Sequence, residues 1–273
     1  MVRRTGARVW TELAPQFADR LHVVALTPRG VLPSSAPASG YTIAQLARDV
    51  VGILDDTHSQ KAVLVGHSIS RAVITQFAKA YPKRLLAAIY LDAAFDFGRA
   101  YRNGKADPMR GPPLNVDTTS SSWTAWKRQF PETYAVLDSD QTMWDIDSAD
   151  AARRRRRVAR LADDVRTKPH QVWLVQAPAL ALRSVSSFER RFGWLTPDSA
   201  RWSLAKWVSD TSQKLQRGVC DDFKRRLPRG SSLDLEASHF VFLDRPREVS
   251  AAMNQFLGPI LAAEPDSLLR SDR

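Results

Sequence analysis

The fold is decided by one short stretch, AVLVGHSIS at residues 62–70. Its first four residues are apolar and mostly branched, which is typical of a buried strand. Apolar residues then recur at helical spacing over residues 72–80, so a helix is predicted directly after the serine. Gly66 and Ser70 are small enough for the strand and the helix to close on a sharp turn at Ser68. Ser68 is therefore predicted to hold a nucleophile position, where helix N-terminal N–H groups stabilise a developing anion.

The remainder of the chain predicts a mostly parallel sheet flanked by helices. Short apolar runs that indicate strands occur at residues 23–26, 62–65, 85–95, 172–175, 179–185 and 232–235. Between them, helical patterns occur at residues 8–19, 43–54, 72–80, 198–225 and 244–257. Strands and helices that alternate with connections of this length favour parallel strands with right-handed crossovers.

The middle of the chain has a different composition. Gly, Pro, Asn and Ser dominate residues 103–122, and an arginine run follows at Arg153–Arg157. We therefore predict a helical cap insertion over residues 97–170, inside a discontinuous α/β core of residues 1–96 and 171–262. Residues 263–273 are predicted to form a polar tail.

On these residues the chain resembles the α/β-hydrolase superfamily, in particular bacterial serine-type members with a VGHS turn before a helix and YLDAA at the next strand. Both motifs are present, the second at residues 90–94. The resemblance covers about residues 8–100 and 172–258. It implies an eight-stranded, mostly parallel sheet and a catalytic triad in the chain order serine, acid, histidine. No cofactor and no metal ion are expected, because the sequence has no cluster of His, Cys and carboxylate residues at ligand spacing.

His239 is the candidate catalytic base. It lies in the stretch EASHFVF at residues 236–242, after the last predicted strand and before the last helix. The superfamily carries its base at that place, and His239 would take the Ser68 proton and return it to the leaving group. His67, the neighbour of Ser68, is interpreted as a residue that packs or bonds locally.

Three carboxylates compete for the role of triad acid. Asp92 ends an apolar strand, where an unpaired carboxylate would be costly to bury, so an imidazolium partner is a reasonable explanation. Glu189 follows the 179–185 strand rather late, and Asp96 lies just beyond the YLDAA motif. Asp92 is preferred, with Glu189 and Asp96 as alternatives.

Two departures from the superfamily pattern count against full activity. Ser70 and Arg71 stand where glycines are usual, and Arg71 would have to point outward or into the site. The chain also has only Val2 to Ala7 before its first helical pattern, whereas the superfamily has a strand there, between those predicted at 23–26 and 62–65. Without that strand, either 23–26 pairs with 62–65 or the sheet keeps a gap.

The same missing strand bears on the oxyanion hole. In the superfamily its following loop supplies one N–H donor, and the residue after the nucleophile, here Ile69, supplies the other. Loss of one such donor costs about 10²–10³ in rate in other serine hydrolases.

The charge of the chain limits the kinds of partner that can be expected. The net charge of +11 favours acidic surfaces, but five adjacent arginines point all round a helix and no recognised nucleic-acid motif accompanies them. Nucleic-acid binding is therefore not expected, and the run is interpreted as a solvated face of a cap helix. A small-molecule substrate is the expected partner.

The expected location is the cytoplasm. The single cysteine, Cys220, cannot form an internal disulfide. No secretory signal and no membrane-spanning run of about 18 apolar residues is recognisable.

Two functions remain open. The first is a serine hydrolase for a small, fairly apolar ester or related acyl compound, in which Trp123, Trp126 and Trp144 line a pocket or form the core of the cap. A serine at the nucleophile position argues against dehalogenase or epoxide hydrolase chemistry, because the related enzymes use aspartate there. The second is a catalytically impaired, α/β-hydrolase-like binding protein.

Overall fold

The computed structural model describes residues 6–93, 149–167, 172–185 and 229–264, together with Trp202, Lys206, Ser209, Asp210, Asp221, Phe223 and residues 225–227. Much of the predicted 198–225 helix, and residues 97–148 and 168–170 of the predicted cap region, lie outside these residues.

Four parallel strands form the described sheet. They are β1 (Ala62–His67), β2 (Leu85–Leu91), β3 (Ala179–Val185) and β4 (Gly230–Glu236), in the order β1-β2-β3-β4. Since all four run in one direction, the residues that follow them meet at one edge of the sheet. Ser68, Asp92 and the segment that carries His239 are brought to that edge. The predicted α/β class with a parallel sheet is confirmed.

Helices cover both faces of the sheet. They are α1 (Ile43–Asp56), α2 (Ser70–Ala80), α3 (Ala149–Thr167), the single turn α4 (Val241–Asp244) and α5 (Pro246–Ala262). The Thr42 hydroxyl accepts the Gln45 N–H at 3.2 Å and caps α1. Strand β2 alternates between two cores: Tyr90 packs with Phe77, and Ile89 packs with Phe242 and Val249.

The predicted helix at 8–19 is wrong. The structure has two separate 3-10 turns there, Ala7–Trp10 and Ala14–Phe17. Pro15 lies in the middle of the pattern, and its missing N–H and its ring interrupt an α-helix. The apolar side of the segment is still used, because Val9, Leu13 and Phe17 are buried against the α5 side of the sheet.

A further error concerns residues 172–175, where the strand prediction fails. Val172–Leu174 form a 3-10 turn before β3. Val172 and Val175 are buried in the core on the α2 side. A short apolar run that is buried need not be a strand.

The predicted strand at 23–26 belongs to no sheet. Residues 22–28 have no assigned secondary structure, and Val23, Val24 and Leu26 are 38%, 49% and 38% exposed. Of the two arrangements left open by the sequence, pairing of 23–26 with 62–65 is not found in the described sheet, and residues 22–26 and 62–65 both line a cavity of about 480 Å³. We call this cavity the slot. A strand needs a neighbour to pair with, and none of the described strands pairs with residues 22–26.

Helix α3, the described part of the predicted cap region, docks on the core. The Asp164 carboxylate accepts the Ile43 N–H at 2.8 Å, at the N-terminus of α1 where backbone donors lack partners. Arg154 Nη1 donates to the Ser34 carbonyl at 2.8 Å, and Arg157 donates to the Ala36 carbonyl. Two arginines of the run therefore hold the protein's own loop, which differs from the expected fully solvated face.

Candidate active site

Ser68 occupies a strained turn between β1 and α2. Its φ is +54°, a left-handed backbone conformation that costs a non-glycine residue of order 1–3 kcal/mol. The Ser68 N–H donates to the Leu91 carbonyl at 3.3 Å, which ties the turn to the end of β2. Ile69 directly precedes the first turn of α2. The sharp turn predicted from the sequence is present.

Gly66 makes this turn sterically feasible. A Cβ at Gly66 would lie 2.7 Å from Ile74 Cδ1 and 2.9 Å from Ser70 Cβ. Real Cβ atoms essentially never approach so closely, so a side chain here would force β1 and α2 apart. The small residue is needed because α2 leaves the turn directly over the strand.

Gly66→Ala is therefore expected to lower the free energy of unfolding by about 1–3 kcal/mol, as overpacking does. The matched control is Gly52→Ala in α1, where an added Cβ meets nothing within 4 Å and should stabilise by about 0.5–1 kcal/mol. Urea unfolding of both variants measures the difference. Equal effects of the two substitutions would contradict the close approach at Gly66.

Asp92 follows β2 at the same edge of the sheet as Ser68. Its φ is +45°, and its N–H donates to the Leu182 carbonyl at 2.7 Å. The side chain is 7% exposed, yet both carboxylate oxygens have donors. Oδ1 accepts the Ser184 N–H at 3.1 Å, and Oδ2 lies 2.7 Å from His239 Nδ1. A buried carboxylate that accepts two hydrogen bonds is positioned to bear a negative charge.

His239 lies in the loop after β4 and meets Asp92 from the solvent side, with its side chain 45% exposed. The loop is fixed at three points: Ala237 N–H donates to Val185 O at 3.2 Å, Ser238 N–H to Asp244 Oδ2 at 2.5 Å, and Phe240 N–H to Ser238 Oγ at 3.1 Å. Because a carboxylate can only accept, Nδ1 carries the proton in this pair and Nε2 is left as a base. The structure thus brings Asp92 and His239 together.

His67 has a contact that the sequence did not indicate. Its Nε2 donates to the His239 carbonyl at 2.7 Å, and the two rings lie 4.4 Å apart between centroids. The partner is 172 residues away in sequence, so the interpretation of a local bond is wrong. Through this bond β1 holds both Ser68, the next residue in the chain, and the backbone of His239. Burial lowers the pKa of His67 well below its ordinary value of 6.5, and the charge of His239 lowers it further.

This pKa shift predicts a pH dependence of stability. Below about pH 6.5 the unfolded chain binds a proton at His67 that the folded protein does not bind, so stability is lost as the pH falls. The expected loss is up to about 1.4 kcal/mol per pH unit below that value. Urea unfolding at pH 7.5 and 5.5 measures it, and His67→Gln, which keeps a donor but does not titrate, should show a smaller loss. An unchanged loss in that variant would contradict the assignment.

Arg71 does not point outward. Its residue is 4% exposed and lies in the first turn of α2, so the outward alternative is excluded. Ser70 begins α2, and its Cβ comes close to Gly66. The two residues that replace the usual glycines are thus accommodated by the turn.

Several candidate residues lie outside the described residues. They are Asp96, Glu189, Trp123, Trp126 and Trp144. Within the described residues, no group of three His, Cys, Asp or Glu side chains is placed to hold a metal ion. No helix in the same residues has both the length and the apolar character to cross a membrane.

Residues 4–252 match the model of the alpha/beta hydrolase family, and the chain belongs to that family. A match of this extent covers both segments of the predicted core.

Known proteins show the range of chemistry within the family. The chain is 29% identical over 122 residues to 3-oxoadipate enol-lactonase 2 of Acinetobacter baylyi, covering 44% of this chain and 46% of that protein. It is 35% identical over 85 residues to epoxide hydrolase A of Mycobacterium tuberculosis, covering 30% of this chain and 26% of that protein. These matches thus span from about a quarter to just under half of the relatives' lengths.

A solved structure supports the fold over most of the chain. A thermophilic esterase from Thermogutta terrifontis superposes with a TM-score of 0.59 at 17% identity, covering 94% of this chain and 86% of that one. At this identity the likeness concerns the fold. The family match and this superposition agree on the fold of the chain.

Proposed function

We propose that the protein is a serine hydrolase that cleaves a small, fairly apolar ester or related acyl compound. The observation that carries the proposal is the 2.7 Å pair of His239 Nδ1 and Asp92 Oδ2, at the sheet edge where Ser68 takes its strained turn. The proposed nucleophile, acid and base (Ser68, Asp92 and His239) occur in the chain order that the superfamily uses. The acid is proposed to be Asp92 rather than Glu189 or Asp96.

In the acylation step, Ser68 Oγ attacks the carbonyl carbon of the substrate while His239 Nε2 accepts the hydroxyl proton. The carbonyl π electrons move onto oxygen and give a tetrahedral oxyanion. When the C–O bond to the alcohol breaks, His239 returns the proton to the leaving alkoxide. Water then repeats the sequence on the acyl-enzyme, which releases the carboxylic acid and restores Ser68.

Ile69 is the proposed donor to the oxyanion. Within the described part of the chain, the Ile69 N–H donates to no acceptor. Ile69 lies directly before the N-terminus of the eleven-residue helix α2. A free N–H aimed from that end stabilises a negative charge both by hydrogen bonding and through the helix dipole.

Asp92 holds the imidazole in the tautomer that leaves Nε2 basic and stabilises the imidazolium that forms. A hydroxyl at the nucleophile position suits acyl transfer, whereas an alkyl-enzyme ester of the epoxide hydrolase kind needs a carboxylate there. The enol-lactonase relative cleaves a cyclic ester by name, which fits this class. We place the substrate pocket under a cap formed by residues 97–170, with Trp123, Trp126 and Trp144 as candidate lining, in a cytoplasmic protein.

The experiment is the hydrolysis of p-nitrophenyl acetate, butyrate and hexanoate, followed as release of p-nitrophenolate. Turnover that saturates with substrate and exceeds that of the Ser68→Ala protein is expected. Turnover that is the same in both proteins would overturn the proposal.

A catalytically impaired binding protein is the second candidate, and the slot is the observation that favours it. The strand whose loop would supply a second oxyanion donor is absent from the described sheet, and Ser68 itself borders the slot. A folded protein that binds an ester or its acid with no turnover above the Ser68→Ala background would select this candidate.

A further inference from the structure

His67 is the last residue of β1, and its ring is packed into the segment that carries His239. The residue is buried. Its ring centroid lies 4.4 Å from that of His239, 4.9 Å from that of Phe240 and 5.2 Å from that of Phe242. All three partners come after β4 in the chain. The ring at the end of β1 therefore contacts the base and the residues that follow it.

A hydrogen bond fixes this ring in one orientation. His67 Nε2 lies 2.7 Å from the His239 carbonyl oxygen. Because a carbonyl oxygen can only accept, Nε2 carries the proton and acts as the donor. Burial, and then the charge of His239, lower the pKa of His67 well below 6.5, so the ring is neutral at neutral pH. His67 therefore donates to the backbone of the base without bringing a second charge next to it.

The contacts that hold the base segment come from different strands. The Ala237 N–H donates to the end of β3, and the His239 ring meets Asp92 after β2. The bond from His67 comes from β1, the strand that presents Ser68. It therefore ties the backbone of the base to the strand of the nucleophile.

We propose that His67 is a positioning residue, whose bond to the His239 carbonyl sets where the base lies relative to Ser68. This inference rests on the proposed function, in which His239 takes the Ser68 proton. A general base must come within about 2.6–3.2 Å of the atom whose proton it takes. A misplacement of about 1 Å can lower the rate by about 10²-fold. Without the donor at His67, the His239 backbone loses its fixed relation to β1.

Two substitutions separate the donor from the ring. His67→Gln keeps an N–H donor but loses the aromatic contacts, whereas His67→Phe keeps an aromatic ring but has no donor. If His67 acted through packing alone, His67→Phe would be the milder change. If the hydrogen bond positions His239, His67→Gln is the milder change for kcat, even where that variant unfolds at a lower urea concentration.

Steady-state hydrolysis of p-nitrophenyl butyrate by the folded variants measures the effect. We expect kcat to fall about 10–100-fold in His67→Phe, with KM changed by less than about threefold. His67→Gln should keep kcat within about fivefold of the wild-type value. His67→Leu is a second variant without a donor and with a smaller side chain. It replaces His67→Phe if that protein does not fold, and the same loss of kcat is expected.

Thr57→Val is the matched control for loss of a side-chain donor. The Thr57 hydroxyl also donates to a backbone carbonyl, that of Ile53, at 2.8 Å. It lies directly after α1 and before β1 begins, at the end of the strand opposite to Ser68. Removal of this donor should leave kcat unchanged.

A spectroscopic measurement makes the test independent of turnover. The hydrogen bond from His239 Nδ1 to Asp92 should give a low-field signal in the proton NMR spectrum, assigned by its loss in His239→Gln. The spectra are recorded in the Ser68→Ala background, where no acyl-enzyme can form. We expect the signal to remain in place in His67→Gln and to be shifted or lost in His67→Phe.

Failure of this inference and failure of the proposed function give different results. Wild-type turnover equal to that of Ser68→Ala would overturn the proposed function, and the NMR comparison would then decide whether His67 positions His239. Turnover above that background, with kcat of His67→Phe within about threefold of wild type, would overturn the role of His67 alone. Equal losses of kcat in His67→Gln and His67→Phe would also overturn it, as would an NMR signal that is unchanged in His67→Phe.

Discussion

Replacing Ser68 with alanine is expected to lower kcat for p-nitrophenyl butyrate by about 10³-fold or more. The Ser68 hydroxyl is the proposed nucleophile that forms the acyl-enzyme, so its removal eliminates the covalent route. Substrate binding uses other groups, so KM should change much less than kcat. Steady-state kinetics of the purified variant measure both values.

We expect the substitution to leave the fold intact, because alanine is smaller than serine and can be accommodated at the same position. A serine that is buried elsewhere serves as control. Ser250 donates from α5 to the Arg247 carbonyl at 3.0 Å, and Ser250→Ala should retain activity within about threefold. Equal loss in both variants would point to a folding defect instead of a missing nucleophile.

Replacing Asp92 with asparagine is expected to reduce kcat by about 10³–10⁴-fold while the protein remains folded. An asparagine amide can donate to His239 Nδ1, which places the imidazole proton on Nε2 and removes the base. Asparagine tolerates the positive φ of +45° at this position, and it still offers an acceptor to the Ser184 N–H.

The two competing acids provide the controls for that prediction. Asp96→Asn and Glu189→Gln, each compared with Asp92→Asn, should retain activity within a few-fold. A large loss in either one, together with an active Asp92→Asn protein, would transfer the role of acid to that residue.

The parallel sheet was predictable from the sequence because short apolar runs alternate with helical patterns along the chain. The apolar runs at residues 62–65 and 85–95 predicted strands, and the structure has strands at Ala62–His67 and Leu85–Leu91. Helix α1 was predictable for a different reason, namely the apolar spacing from Ile43 and a capping threonine before it.

Residues 22–26 show the limit of such reasoning. Their composition is that of a strand, yet a strand exists only through hydrogen bonds to a neighbour, and no strand pairs with them in the described sheet. The apolar pattern indicates only that residues 22–26 favour an extended conformation, and a strand forms only if a neighbour pairs with it. The 8–19 segment shows another limit. Its apolar residues are buried as their spacing predicts, but Pro15 interrupts the α-helix and two 3-10 turns form instead.

The positions of Ser68, Asp92 and His239 relative to the strands were predictable, because each of them lies at or after the end of a predicted strand. Strand ends in a parallel sheet meet at one edge, so Ser68 and Asp92 had to be neighbours, and His239 follows the last strand. The contact from His67 to the His239 carbonyl was not predictable, because it depends on the path of a loop 172 residues away. One signal was present in the sequence. His67 is a polar residue next to Ser68, at a position that the turn buries, and a buried imidazole needs a hydrogen-bond partner.

The most direct test of the account is covalent labelling of Ser68. The protein is treated with phenylmethylsulfonyl fluoride, and its intact mass and proteolytic peptides are measured. The account predicts one sulfonyl group per chain, located on Ser68, with labelling absent in Ser68→Ala and strongly slowed in Asp92→Asn. Labelling of another residue, or an unmodified Ser68 in the folded protein, would contradict it.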